Sequence, residues 1–366
     1  MTSDIAATAG VVSEEIAPAG PGSSGRSGGY GRYLGRRALT SLVTLWGITL
    51  VSFGLSVLVP INPETTNLSQ QALANPEAVQ AFRAKFGLDA PVWEQYLNYV
   101  KGLLHGDLGI SQQTGNPVSH DLTTYAPATL ELVLVATAMS LFLGILLGVL
   151  AAYLRNRWPD HLARAISLIG VSLPTYWLAL ACSGLFFRQL GWLPGSGRLD
   201  PTMEAPPHVT GFYTVDALLA GDWSVFGSAV THLILPATVL AVSTLGMILR
   251  FTRSSVLDGL GSDAVKAARA KGLGRSRVLV RYAVRLASSQ IITVAALSFG
   301  FLLAATVYVE QIFSWGGLGQ YTYRASTNLD LTAITGVSLV IAVIFLIVNF
   351  LADVIASALD PRILLR

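Results

Sequence analysis

The side chains able to ligate or react are few: five histidines at His105, His120, His161, His208 and His232, a lone Cys182, and scattered acids. The histidines lack the spacing that gathers ligands on one metal, so they read as loop or interface side chains, and no metal site is expected. Cys182 has no partner within the chain, which excludes a disulfide-built fold. No Gly-Lys dipeptide occurs, so there is no Walker loop to cradle a phosphate. Ser, His and acidic residues fall without a local nucleophile motif. The chain is therefore expected not to be an enzyme and to bind no cofactor itself.

What remains is a basic stretch, with nine Lys and Arg between residues 250 and 285. Gly261-Ser262-Asp263 reads as a helix start, Ser262 being an N-cap and Asp263 favoured by the helix dipole. The helix then runs through Ala264, Val265, Lys266, Ala267, Ala268, Arg269, Ala270 and Lys271, and Gly272 or Gly274 closes it. Ala264, Ala267 and Ala268 form a small-residue face on which another protein could sit closely. Arg277, Arg281 and Arg285 follow four apart, with Val278, Leu279 and Ala283 on other faces. That pattern fits a basic helix lying on anionic lipid or one meeting a protein, and composition favours lipid slightly.

The elements that position this loop are membrane helices. The chain has 366 residues, 52% hydrophobic and only 12% charged, against about 25% charged in a soluble domain. That excludes an ordinary cytosolic enzyme. Crossing about 30 Å of hydrocarbon takes about 20 helical residues. Uncharged runs at 38–59, 132–154, 165–187, 286–309 and 331–352 meet that length, and 233–249 is a shorter sixth. No alternating barrel-strand pattern is present. The fold class is all-α: a polytopic membrane protein with six transmembrane helices.

With the N-terminus inside, the inner segments hold eighteen of the 24 Lys and Arg. That bias places both termini in the cytoplasm. Residues 1–31 are Ala-, Gly-, Ser- and Pro-rich without an apolar h-region, and read as a disordered tail rather than a signal peptide. The remaining organisation is a first span over 32–60, an outer segment over 61–127, a core over 128–358 whose inner loop covers about 254–285, and a short inner end at 359–366. In the outer segment Pro76 opens one amphipathic helix, and Trp93, Tyr96, Leu97, Val100, Leu103 and Leu104 mark another. A second outer loop carries Trp192 and Trp223 at the interface. Charge is nearly absent from the spans, with Glu131, Glu310 and Asp353 only at their edges, so a proton- or ion-coupled carrier is not indicated. Pro174 in the third span is a possible kink.

The inner loop resembles that of ABC importer permeases. Their E-A-A-x-x-x-G loop is matched by Lys266-Ala267-Ala268-Arg269-Ala270-Lys271-Gly272, and the run ending at Leu273 is similar to the peptide/nickel branch. Other strings of that branch occur in order: Phe86-Gly87-Leu88-Asp89, Gly106-Asp107-Leu108-Gly109-Ile110-Ser111, Pro127-Ala128-Thr129-Leu130-Glu131-Leu132 and Leu173-Pro174-Thr175-Tyr176-Trp177. Glu310, Phe313-Ser314-Trp315, Gly317-Leu318-Gly319 and Asp360-Pro361-Arg362 complete the set. The resemblance covers about residues 32–366. This chain departs from the branch at Val59-Pro60-Ile61-Asn62-Pro63, and at Gln290 and Gly316, where Pro is usual; Lys266 replaces the Glu of the general motif, as is common in the peptide branch. Ser314 to Gln320 is superficially like an ATPase signature loop, but the topology puts it outside, away from ATP.

The resemblance implies a type I importer permease that moves peptides delivered by an extracytoplasmic solute-binding protein. It implies a second, related permease and two cytoplasmic ATPases carrying ATP and Mg, in a bacterial or archaeal cell membrane, and no nucleic acid. The ATPases would couple through Asp263, Ala264, Ala267, Ala268, Ala270, Lys271, Gly272 and Leu273. An outer-gate motif would consist of Glu310, Gly317, Leu318 and Gly319, and no substrate-binding residue is indicated. Nickel, an oligosaccharide, haem or glutathione is the alternative cargo. A membrane scaffold or sensor that holds a cytoplasmic protein is the alternative of another class.

Overall fold

A computed structural model describes residues 26–58, 68, 70–86 and 90–359 of the chain. Of the expected tail over 1–31, residues 1–25 lie outside these residues and 26–31 open the first helix instead; the Val59 to Pro63 departure, Gly87 to Asp89 and the Asp360-Pro361-Arg362 string also lie outside. The described residues are helical apart from loops and one isolated bridge between Ile110 and Pro117.

The chain order is α1 (Arg26–Leu58), α2 (Gln70–Leu73), α3 (Pro76–Phe86), α4 (Val92–Leu104), α5 (Val118–Tyr153), α6 (Trp158–Ser172) and α7 (Thr175–Cys182), which runs on as a π-helix over Ser183–Gln189. Then come α8 (Tyr213–Ala220), α9 (Trp223–Gly261), α10 (Asp263–Ala270), α11 (Arg275–Val278), a π-turn over Leu279–Ala283, α12 (Val284–Phe313), α13 (Leu318–Thr327) and α14 (Leu331–Leu359). Among the described residues, five stretches are long and apolar enough to cross a membrane: Gly35–Leu55, Val118–Tyr153, Trp223–Gly261, Arg275–Phe313 and Leu331–Leu359. The sixth is the pair Trp158–Ser172 and Thr175–Gln189, bent by 102°.

That bend falls at Pro174, read above as a possible kink, and corrects the uninterrupted run over 165–187. Pro174 has no N–H to continue the helix, and its ring forces the preceding residue out of helical geometry. Leu173 accordingly sits at φ −86°, ψ 126° and Pro174 at φ −61°, ψ 133°, so α6 stops and α7 restarts in a new direction. A second correction concerns Arg277, Arg281 and Arg285. The π-turn joins α11 to α12, so these residues head a span rather than form a separate helix in the membrane plane.

α9 is the centre of the fold. Its 39 residues are about 58 Å long at 1.5 Å each, well beyond the hydrocarbon thickness. One main cluster contains Leu132, Val133 and Ala136 of α5, Val239 and Leu240 of α9, and Phe299, Leu302 and Leu303 of α12. Without a hydrophobic drive between helices in lipid, close approach at small residues has to hold them together. At Gly148 of α5 an added Cβ would lie 2.7 Å from Thr252 of α9, and at Gly259 of α9 it would lie 2.9 Å from the Ala283 carbonyl oxygen.

α1 is peripheral. It meets α14 through an Arg37–Asp353 ion pair of 2.5 Å, and α4 through Phe53, which packs on Tyr96 and Tyr99. The two expected outer helices are present as α3 and α4. In α4 Tyr96 and Leu103 turn partly inward, while Trp93, Leu97 and Leu104 stay exposed.

Candidate functional site

The inner loop forms a short helix with both ends fastened. Ser262 is extended at φ −68°, ψ 154°, and its hydroxyl accepts from the Val265 N–H at 3.4 Å. At the other end Gly272 takes φ +78°. The Gly272 N–H donates to the Arg269 carbonyl at 2.9 Å and the Leu273 N–H to the Ala268 carbonyl at 3.3 Å. This is the Schellman arrangement, in which only glycine fits the left-handed position without strain. Gly274 does not close the helix; at φ −62° it starts α11.

α10 is seated on its own chain. Val265, Ala268 and Val278 are buried together, with Leu260, Leu273 and Tyr282 packed around them. The expected small-residue face therefore divides. Ala268 is buried in the internal seat, and the half-buried Leu273 packs against it. Asp263, Ala264, Lys266, Ala267, Arg269, Ala270, Lys271 and Gly272 are exposed. Lys266 pairs with Asp263 at 2.8 Å, leaving Arg269 and Lys271 as a positive surplus on that surface.

Beside this loop the fully buried Asp160 of α6 binds Arg253 near the C-terminal end of α9 through two contacts of 2.5 and 3.0 Å. Arg164 adds a contact of 2.7 Å, and the Asn156 N–H one of 3.0 Å. Arg275 reaches back to the Tyr153 carbonyl at 3.0 Å. The turn after α5 and the helix before α10 are thus tied at buried polar groups.

At the opposite end Glu310, Gly317, Leu318 and Gly319 come together around one fully buried carboxylate. Glu310 Oε1 accepts from the Thr129 hydroxyl at 2.6 Å, and Oε2 from the Gln320 N–H at 3.0 Å. Thr129 in turn accepts from the Leu318 N–H at 2.7 Å. Trp315 donates its indole N–H to the Ala128 carbonyl at 2.9 Å. The carboxylate thus sits at the N-terminus of α13, where orphan N–H groups favour negative charge. Glycine is required for this approach, since a Cβ on Gly317 would lie 2.6 Å from the Glu310 oxygens, and one on Gly319 would lie 2.8 Å from the Val307 nitrogen.

Sequence reasoning missed the other members of this polar cluster. Glu131 pairs with Arg198 at 2.6 Å and accepts from the Thr214 N–H at 2.8 Å, and the Arg198 guanidinium lies 3.6 Å over the Tyr213 ring. Asp330 accepts from the Ser111 hydroxyl at 2.7 Å and caps α14 through the Ala333 N–H at 3.0 Å. Asp121 accepts from Thr114 at 2.5 Å and from the Tyr321 hydroxyl at 3.0 Å. Burial pushes the Tyr321 phenol above its usual range, which keeps it a donor. Asp216 is ringed by the Thr210 hydroxyl and the N–H groups of Val209, Thr210 and Gly211. Burial there opposes the charge, yet these bonds hold the carboxyl below its usual range. The only available signal was that acids and short polar residues cluster just outside the spans.

Comparison with known proteins gives the chain's family. The family model described as binding-protein-dependent transport system inner membrane component matches residues 144–365. Its N-terminal companion, binding-prot-dependent transport system membrane comp, N-term, matches residues 31–133. The probable D,D-dipeptide transport system permease protein DdpB of Escherichia coli is 40% identical over 330 residues, covering 90% of this chain and 96% of its own. The dipeptide transport system permease protein DppB of Alkalihalophilus pseudofirmus is 38% identical, covering 90% and 98%. A solved structure described as inward-facing conformations of the MetNI methionine ABC transporter aligns with TM-score 0.45 and 17% identity over 64% of this chain and 93% of its own. The long membrane helices and the matches over both parts of the chain lead to one conclusion: the chain belongs to the binding-protein-dependent transport system inner membrane component family, as a permease subunit of the ABC importer type.

Proposed function

We propose that this permease moves short peptides inward. It acts beside a second related permease, with two cytoplasmic ATPases that carry ATP and Mg and an extracytoplasmic solute-binding protein. The peptide cargo is supported by the relatives at 38% and 40% identity, whose names specify dipeptide and D,D-dipeptide transport. The coupling role rests on α10, an eight-residue helix capped at both ends, seated on its own loop and exposing its outer face. The charge bias of eighteen Lys and Arg to six supports an inner location for this helix and for both termini. ATP acts on the spans only through a difference in ATPase affinity between their inward- and outward-open states.

Native mass spectrometry of the tagged chain purified in mild detergent tests this. A second permease and two ATPase copies are the expected companions, with uptake of dipeptides by the reconstituted complex. Recovery of the chain alone, or as a homo-oligomer, would favour a membrane scaffold. Ala267→Glu changes the exposed face without touching the seat and is expected to uncouple ATP hydrolysis from uptake at normal membrane level. Normal uptake by that variant would remove α10 from the coupling role.

A further inference from the structure

The third span is broken at Leu173 and Pro174, and irregular backbone within hydrocarbon is tolerated only inside protein or against a water-filled cavity. Pro174 lacks the N–H that the Gly170 carbonyl would meet in a continuous helix. Directly after the break, Thr175 and Tyr176 form one wall of a cavity of about 180 Å³, and Phe301, Ala304, Ala305 and Tyr308 of α12 form the other. That is room for about six waters at about 30 Å³ each. The Tyr176 and Tyr308 rings lie 6.3 Å apart, and each is about half exposed.

The cavity lies on a longer feature. α12 is packed against α5, α9 and α14, yet it leaves one stripe exposed from Leu286 through Gln290, Thr293, Leu297 and Phe301 to Tyr308. The spacing of three and four puts these on one helical face. A face turned to lipid carries apolar groups, because an amide or hydroxyl in hydrocarbon has nothing to bond. This face carries the Gln290 amide and the Tyr308 hydroxyl, and Tyr176 adds a second phenol. In secondary transporters, interrupted helices of this kind hold the cargo.

We propose that this cavity lies on the translocation path and receives the uncharged part of a peptide in transit, its backbone amides and side chain. The inference rests on the peptide-permease reading above. The lining holds no Asp, Glu, Lys or Arg, so it offers nothing to hold a charged terminus. The two phenols and the Thr175 hydroxyl can each donate to a peptide carbonyl or accept from a peptide N–H. Ala304 and Ala305 leave the space that a cargo side chain would occupy.

The test uses the assembled transporter in proteoliposomes, with Cys182→Ser as background. Phe301→Cys and Tyr308→Cys are placed on the cavity, and Val43→Cys on the peripheral α1. A charged, water-borne methanethiosulfonate is expected to modify the two cavity positions and not Val43→Cys, and L-alanyl-L-alanine is expected to slow that modification. Ala304→Trp, which fills the cavity, is expected to abolish dipeptide uptake at unchanged assembly. Cavity cysteines that react only with a membrane-soluble maleimide would show a lipid-facing surface and overturn the proposal. Modification indifferent to saturating dipeptide, or normal uptake by Ala304→Trp, would overturn it as well. If the unsubstituted complex takes up no dipeptide, the peptide reading fails instead, and water access at 301 and 308 still decides whether the cavity lies on a path.

Discussion

The Glu310 site makes the sharpest prediction about stability. Every group that surrounds its carboxylate is a donor: the Thr129 hydroxyl at 2.6 Å and the Gln320 N–H at 3.0 Å are fixed in place, one by α5 and the other by α13. Glu310→Gln keeps shape and volume but replaces one accepting oxygen with an NH2 group, so one buried donor loses its partner. Leaving a buried donor unmet costs about 1–3 kcal/mol. Glu310→Ala strips both oxygens and opens a cavity, which raises the expected cost to about 3–5 kcal/mol. Thr129→Val removes the bridge to Glu310 and to the Leu318 N–H, so its effect overlaps that of Glu310→Gln. The double variant is then expected to fall short of the sum by about 0.5–3 kcal/mol. Thermal unfolding of the detergent-solubilised protein measures all four, and protease access to the turn at 314–317 reports whether α13 loosens first. Glu310→Gln melting with the unsubstituted protein, or strict additivity with Thr129→Val, would refute the capping argument.

Three further outcomes follow from other sites. Asp160→Asn strands the largely buried Arg253 and is expected to destabilise by about 3 kcal/mol, the low end for a broken buried pair because Arg253 keeps some solvent; the more exposed Arg164 adds little. Combining it with Arg253→Gln should recover stability, and a melt unchanged by Asp160→Asn would contradict the buried tie. Gly272→Ala forces a Cβ into the left-handed region at about 1–2 kcal/mol and is expected to speed amide exchange across 264–273, whereas Gly274→Ala, at φ −62°, should leave it unchanged. Asp216 has its folded pKa lowered, so its contribution is complete above the ordinary Asp value of about 3.9 and is lost as pH falls through the folded value. The loop at 208–216 should stay protease-resistant at neutral pH and open only in stronger acid, and Asp216→Asn should open it at neutral pH.

The membrane architecture was legible because span length and hydropathy are local properties. Each run at 132–154, 286–309 and 331–352 lies within or closely overlaps a long helix. What local properties could not supply was how far helices extend past the hydrocarbon. α5 begins at Val118 and α9 at Trp223 because polar residues there find partners in neighbouring segments, as Thr129 does in Glu310. The Pro174 break was visible as a residue but not as a 102° turn. A proline in a helix can be absorbed: Pro127 and Pro236 both lie inside continuous helices.

The two sites differ in how much the sequence could show, and distance along the chain explains the difference. α10 is a local object: its N-cap, its dipole-matched acid and its closing glycine all lie within ten residues, and each is readable from residue type. Only its orientation was misjudged. Small size made Ala268 look like a contact residue, while Val265, one turn away on the same face, was the clue that this face points inward. The polar cluster around Glu310 is the opposite case. Thr129 and Glu310 are 181 residues apart and Ser111 and Asp330 are 219 apart, so no window on the sequence holds both halves of either pair. The strings Pro127 to Leu132 and Glu310 to Gly319 are separate in the sequence and one structure in the fold. Its glycines are the physical trace of that union, because Gly317 has no side chain for the reason that Glu310 and Thr129 occupy the space where one would be.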